Sequence, residues 1–416
     1  MPPVDRAEIV RVFARIGVLS FGGPAAQISL MHKELVEDRE WLSEQDFLRA
    51  LSLCMLLPGP EAMQLATYAG WRLRSVWGGL IAGLLFVLPG AAVIALLAAV
   101  YASFGDVPLV QAAFAGIKAA VIVIVLQALL KVSQKALKSP AAWGLAAGAF
   151  AALFLFDIPY PAIIALAALW GAATQAQNTT PPAPQPRAPR PSALPTIAVW
   201  GGLWAAPIML LVAFDQAFLT QIALFFSKLA VVTFGGAYAV LAYMTQTVVS
   251  DFGWITTAEM IDALGLAETT PGPLILVTQF VAMLAGFAQG GFGLALAAGA
   301  VALWVTFVPC FLWIFLAAPY LDTISERPRI AAALSGITAA VVGVILNLAL
   351  WFSIHVLFED VTTSRYLAAP VPVLASFDSV VAALTAGAAV LLIGLKRGIA
   401  ETLGVLGLAG LCLSLV

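Results

Sequence analysis

The sequence predicts an all-α polytopic membrane protein built from two homologous halves. Three observations carry this. Hydrophobic residues make up 62% of the 416-residue chain. Charged residues make up only 10%, where a soluble globular protein carries about 25%. Rare tripeptides recur downstream at one constant offset. The mean hydropathy of +1.01 excludes a soluble enzyme. Twenty Lys and Arg against 22 Asp and Glu leave no basic surplus for nucleic acid. Two histidines and three scattered cysteines, Cys54, Cys310 and Cys412, leave no metal-ligating or disulfide framework, so no metal, cofactor or catalytic residue is expected. The cysteines are expected to be buried packing residues. The charged N-terminus lacks the apolar core of a leader, so no cleaved presequence is expected.

A membrane span needs about 20 apolar residues. Clean stretches fall at 77–103, 109–130, 141–156, 160–174, 196–214, 291–317, 330–352, 379–395 and 399–415. The stretches 9–35, 44–74, 218–249 and 256–288 are interrupted by Gly and Pro and are expected to be broken helices. Backbone freed by such breaks is tolerated at membrane depth only when buried in protein or lining a polar cavity. Residues 5–16 set Ile9, Val12, Phe13 and Ile16 on one helical face against Glu8, Arg11 and Arg15, a spacing suited to a helix lying in the membrane interface. Residues 176–195, rich in Pro, form an extended linker between a first half, 1–175, and a second, 196–416. The hydrophilic stretch 359–378 is expected to be an ordinary long loop.

Phe21-Gly22-Gly23 recurs as Phe234-Gly235-Gly236, Trp41 as Trp254, and Pro58-Gly59-Pro60 as Pro271-Gly272-Pro273, all at an offset of 213. Further on, Gly116-Ile117 recurs as Gly336-Ile337 and Pro89 as Pro309 at an offset of 220. One seven-residue insertion reconciles the two offsets. Lys and Arg number eight over 15–131 but three over the matched 228–351. By the positive-inside rule, equivalent loops then face opposite sides, as in inverted-topology repeats.

Gly-Gly and Pro-Gly-Pro punctuate each half, and helices should restart after both, since Pro24 and Pro60 suit the first helical turn. A helix restarting inside the membrane presents unpaired N–H groups and about half a positive charge, a ready anion site. The alternative is that these motifs are kinks for close packing. Beside the motifs stand Ser20, Gln27, Gln64 and Thr67 in the first half, and Thr233, Tyr238, Thr269, Thr270 and Gln279 in the second, offering hydroxyls and amides. Glu61 and Glu268 cost on the order of 3 kcal/mol each at the bilayer centre. They are read either as proton-coupling groups or as helix N-terminal caps. Neither is duplicated, so an asymmetric site is expected. Lys118 is a candidate counter-charge or a snorkelling lysine, and Arg72 and Arg74 close the helix after the first Pro-Gly-Pro and are candidates for steering anions.

The string FGGPAAQISLMHKELVEDREWLSEQDFLRALSLCMLLPGPEAMQLATYAGWRL resembles the N-terminal half of the chromate ion transporter family. FGGAYAVLAYM and GWITTAEMIDALGLAETTPGPLILVTQF resemble its C-terminal half. The resemblance implies a long, two-domain secondary transporter of the bacterial or archaeal inner membrane that exports chromate and confers chromate resistance. It also carries the motif residues Phe21, Gly22, Gly23, Pro58, Gly59, Pro60 and Gln64, their counterparts, and Glu268, Thr269 and Thr270 as the substrate region. Sulfate shares the charge and tetrahedral shape of chromate and stands as the alternative cargo. Protons are the candidate coupling ion. An intramembrane chromate reductase lacks the expected cysteine pair or nucleotide fingerprint. The bilayer is the expected surrounding, and a homodimer is a plausible assembly that no residue here argues.

Overall fold

A computed structural model describes residues 4–105, 107–174, 193–234, 237–321, 328–363 and 369–414. Gly235, Gly236 and linker residues 176–192 lie outside the described residues, and the last three residues of the expected linker already begin a helix. The helices of the first half are α1 (Arg6–Leu19), α2 (Gly23–His32), α3 (Glu44–Leu56), α4 (Glu61–Phe104), α5 (Pro108–Ala136), α6 (Pro140–Phe156) and α7 (Tyr160–Thr174). Then α8 (Ala193–Ala213) precedes α9 (Ala217–Val232), α10 (Ala237–Gln246), α11 (Thr257–Thr269), α12 (Val277–Ala317), α13 (Pro328–Leu357), α14 (Ser379–Ala389) and α15 (Ile399–Ser414). Among the described residues, five helices are long and apolar enough to cross a membrane, and five shorter apolar ones accompany them.

From α1 to α7, each helix has a counterpart from α9 to α15. Even the one-turn π segments after α2 and α10, Lys33–Glu37 and Thr247–Asp251, are repeated. All four expected helix restarts are present: α2 after the first Phe-Gly-Gly, α4 directly after Pro60, α10 at Ala237, and a 3₁₀ turn, Leu274–Leu276, leading into α12. Helix α4 is two arms joined by a tight non-helical turn at Arg74 and Ser75 (φ 55°), and α12 is broken likewise at Gly290 and Gly291 (φ 73°). The arms fold back on each other, because a Cβ on Gly70 would lie 2.2 Å from the Gly78 carbonyl oxygen. Gly286 meets Ala295 in the same way, its added Cβ falling 2.8 Å from the Ala295 Cα. The two breaks are offset by 216 residues, so the seven extra residues enter in two places. Three form the 3₁₀ turn and four follow the break.

Three further expectations are corrected. The apolar face of α1 is covered by protein, with Gly17 against the Leu85 carbonyl of α4, because amphipathic spacing says only that one face is buried, whatever buries it. Residues 359–378 contain a two-stranded antiparallel ribbon, Val361–Thr363 with Pro370–Pro372, closed by a bridge between Phe358 and Phe377. Three-residue strands carry too little alternation to be read in advance. Cys54 and Cys310 are buried, but Cys412 is exposed on the outward side of α15.

The chain divides into two compact units, and the units are not the halves. The first comprises residues 1–98, 173–237 and 270–332; the second comprises 99–172, 238–269 and 333–416. Within the second unit the halves exchange partners. Gly116 of α5 abuts the Leu406 carbonyl of α15, where an added Cβ would fall 1.8 Å from the oxygen. Its repeat mate Gly336 of α13 abuts the Ala167 carbonyl of α7, at 2.4 Å. Each half therefore supplies the glycine that lets it pack backbone to backbone on the other.

Candidate functional site

In the first unit each Pro-Gly-Pro loop meets the residue that precedes the other half's Phe-Gly-Gly, through reciprocal hydrogen bonds. Gly59 N–H donates to the Thr233 carbonyl (2.8 Å), and Gly272 N–H donates to the Ser20 carbonyl (2.9 Å). Each bond joins one half's Pro-Gly-Pro to the residue before the other half's Phe-Gly-Gly. The accepting residues are prepared alike: Ser20 Oγ and Thr233 Oγ1 each donate at 2.6 Å to the carbonyl four residues back, on Ile16 and Leu229. Both hydroxyls are buried and so satisfied at a helix C-terminus, where orphan carbonyls need partners.

Backbone geometry explains the glycines. Gly59 and Gly272 have φ of 119° and 90°, a region closed to ordinary L-residues. The prolines on either side lack N–H groups, so the glycine supplies the donor of each loop. Behind each loop stands the proline-bearing arm of the other half's long helix. A Cβ on Gly59 would lie 2.9 Å from Cys310 Sγ, beside Pro309 of α12. A Cβ on Gly90, beside Pro89 of α4, would lie 2.2 Å from the Pro271 carbonyl oxygen. Gly90 and Cys310 are themselves repeat mates at the offset of 220.

Buried glutamines complete this centre. Gln27 Nε2 donates to the carbonyls of Gly272 (2.7 Å) and Ser20 (3.3 Å), Gln64 Nε2 to Pro58 (2.7 Å), and Gln279 Nε2 to Ala91 (3.1 Å). Each amide is fixed by a backbone carbonyl, and each Oε1 is buried without a hydrogen-bond partner among the described residues. The site thus holds three desolvated acceptors: Oε1 of Gln27 on α2 and of Gln64 on α4, each near the start of its restarting helix, and Oε1 of Gln279 on α12, whose amide is fastened to Ala91 of α4. No side chain caps α2, whose N-cap residue is Gly22.

The remaining expected residues fall elsewhere. Phe21 is 44% exposed and Arg72 is exposed, so neither reaches this centre. Phe234 and Pro60 flank the loops, and Thr269 donates to the Leu266 carbonyl (2.8 Å) in the last turn of α11. Thr270 is buried next to Pro271. The two glutamates differ in setting. Glu61 stands in the first turn of α4, where the helix dipole favours a carboxylate. Glu268 stands in the last turn of α11, where the dipole opposes one, so it caps no N-terminus. In the second unit it accepts a hydrogen bond from Tyr238 Oη (2.7 Å), and its Oε2 is buried without a partner among the described residues.

Lys118 is an ion-pairing lysine: its Nζ is 3.1 Å from Asp262 Oδ1, while Tyr101 Oη donates to Asp262 Oδ2 (2.7 Å). Asp262 is only 5% exposed, and its partners are 144 and 161 positions away in sequence. No local pattern announces such a triad.

A membrane chain of two interlocked repeats, with helices broken at a shared buried centre, has the build of a transport protein. The chromate transporter family model matches residues 7–172 and 220–413. The protein belongs to that family. It is 33% identical over 355 residues to the chromate transport protein of Pseudomonas aeruginosa, covering 83% of this chain and 80% of that one. To the chromate transport protein of Cupriavidus metallidurans it is 30% identical over 349 residues, 83% and 82% of the two chains. To the "Probable chromate transport protein" of Synechococcus elongatus it is 32% identical over 349 residues, 83% and 84%. No solved structure matches.

Proposed function

We propose that this protein exports chromate from the cytoplasm across the inner membrane and so confers chromate resistance, by alternating access of two inverted repeats. The names of the relatives support the cargo. One observation carries the site: the reciprocal hydrogen bonds that fasten Gly59 to Thr233 and Gly272 to Ser20, between helices restarting in each half. They hold helix N-termini and unwound backbone in one buried centre, the arrangement that binds small anions between repeats.

The balance of groups there suits an oxyanion carrying a proton. N–H groups of the restarting helices meet its negative oxygens, and the unpartnered Oε1 atoms of Gln27, Gln64 and Gln279 accept from its hydroxyl or from accompanying water. Glu268, buried with one oxygen unpartnered, is the residue for coupling to protons. A membrane potential negative inside favours outward movement of such a monoanion by about 2.3 kcal/mol per 100 mV, and of the unprotonated dianion by about 4.6, at about 2.3 per charge. Sulfate offers the same shape and charge and is the second cargo to test.

The test is chromate flux into proteoliposomes containing the purified protein, under an imposed potential and separately under a pH gradient, with sulfate as competitor. Flux is expected to follow the potential. Gly59→Ala and Gly272→Ala should each reduce it at least about tenfold, the effect of about 1.4 kcal/mol at a site built for close backbone geometry. Sulfate flux without chromate flux would overturn the cargo, and full flux in both variants would overturn the site.

A further inference from the structure

The second unit contains a cavity that the oxyanion centre does not use. Its volume is about 400 Å³, and it lies between the C-terminal end of α6, the π segment after α10, the start of α11, the last turns of α13 and the β ribbon. Among the described residues, every lining residue belongs to the second unit. The lining carries two carboxylates, Asp157 and Asp251, with Thr245, Gln246, Asn347 and His355, and among the described residues no lysine or arginine. A cavity so lined repels the oxyanion that the first unit suits.

Two observations mark it as a built site. Thr245 is 3% exposed, and its Oγ1 has no hydrogen-bond partner among the described residues although it stands in the wall of the cavity. A buried hydroxyl of that kind is unfavourable unless something in the cavity meets it. The polar wall is also held in place. Gln246 donates its amide to Asp157 Oδ1, fixing that carboxylate where α6 ends in a left-handed residue. His355 spends Nδ1 on the Trp351 carbonyl (2.8 Å) and stacks on the Trp351 ring, with centroids 4.3 Å apart. An adjoining cavity shares His355 and Thr257 and does carry Lys118, but that ammonium is paired with Asp262.

We propose that this cavity binds a monovalent inorganic cation such as Na⁺, partly hydrated. Apart from the single imidazole of His355, the polar lining among the described residues offers oxygen and amide groups, which suit hard cations better than the metals that gather several imidazoles or thiolates. Calcium sites collect six to eight oxygens, several of them carboxylates in contact with the ion. No group of three or more His, Cys, Asp or Glu able to hold a metal ion exists among the described residues. Two carboxylates and several neutral oxygens lining space for water match the weaker demand of a single charge. A cation here, in a protein that moves anions elsewhere, is a second ligand with its own site.

The experiment follows the melting temperature of the purified full-length protein in detergent as Na⁺, K⁺ or choline chloride is added at constant ionic strength. Na⁺ or K⁺ is expected to raise Tm by a few degrees in a saturable way that choline does not reproduce. Asp157→Asn with Asp251→Asn should abolish the difference. Thr245→Val, isosteric and well tolerated by a buried helix, should raise the half-saturating concentration several-fold and decides the matter if the double variant does not fold. Equal stabilisation by all three salts would overturn the proposal, as would ion selectivity that survives both sets of substitutions. Stabilisation by Mg²⁺ or Ca²⁺ at far lower concentration than Na⁺ would replace it with a divalent site. None of these readings depends on chromate flux, so a failure here is distinct from a failure of the transport proposal.

Discussion

His32 shows how the repeat diverges at single residues. It is the first-half counterpart of Thr245 at the offset of 213, yet it sets an ionisable ring between two carboxylates where Thr245 carries a lone hydroxyl. Its ring nitrogens meet Glu44 Oε2 at 2.6 Å and Glu37 Oε1 at 3.0 Å, and Phe47 packs edge-on at 5.1 Å between centroids. The bond to Glu44 raises the His32 pKa above its ordinary value, outweighing what burial takes away, at the charged end of α2 outside the apolar spans. The folded state thus holds a proton more tightly than the unfolded chain. The contribution to stability is complete below the unfolded value of about 6.5, and it fades as pH rises through the raised folded value. His32→Gln should therefore lower Tm at pH 6 and lose its effect by pH 9, as a thermal-melt series across pH would record. An effect that does not change with pH would mean that packing on Phe47, and not charge, is what His32 supplies.

Among elements, the decisive contacts are those between a Pro-Gly-Pro loop and the kinked helix of the opposite half. The two contacts are related by the repeat but differ in tightness: α4 needs a glycine, Gly90, to admit the Pro271 carbonyl, whereas α12 accommodates Cys310 beside Gly59. Gly90→Ala should cost about 1–3 kcal/mol or more from forced backbone displacement, and Cys310→Ala should cost under about 1.5 kcal/mol, because it only removes a sulfur. Melting temperatures of the two purified variants compare them directly. Equal losses would mean that the loops yield at both places. The asymmetry extends to the arms that follow: the second half inserts the 3₁₀ turn Leu274–Leu276 where the first enters α4 at Glu61 without one. Glu61 then has Val277 as its structural mate, and the carboxylate stays unique to the first half.

Across the whole molecule, each compact unit draws on both halves of the chain. Separate halves should therefore be unstable alone and competent together. Residues 1–183 and 184–416, expressed from two plasmids, are expected to copurify and to restore chromate flux, while each alone is degraded; stable accumulation of either half by itself would contradict the interlocked architecture. The sequence by itself determined the membrane class, the apolar spans within a few residues, the four helix restarts and the duplication, because hydropathy, Gly and Pro act locally and a repeat is visible as text. It also marked Ser20, Gln27, Gln64, Thr233 and both Pro-Gly-Pro motifs, since polar residues beside breaks in apolar runs are costly enough to be conspicuous. Tertiary structure alone decided that Gly59 reaches Thr233 while Gly272 reaches Ser20, that Lys118 belongs to Asp262, that α1 buries its apolar face on protein, and that a polar cavity forms around Thr245. Those pairings join positions tens to hundreds of residues apart, and their free energy comes from burial and backbone approach that no local pattern encodes.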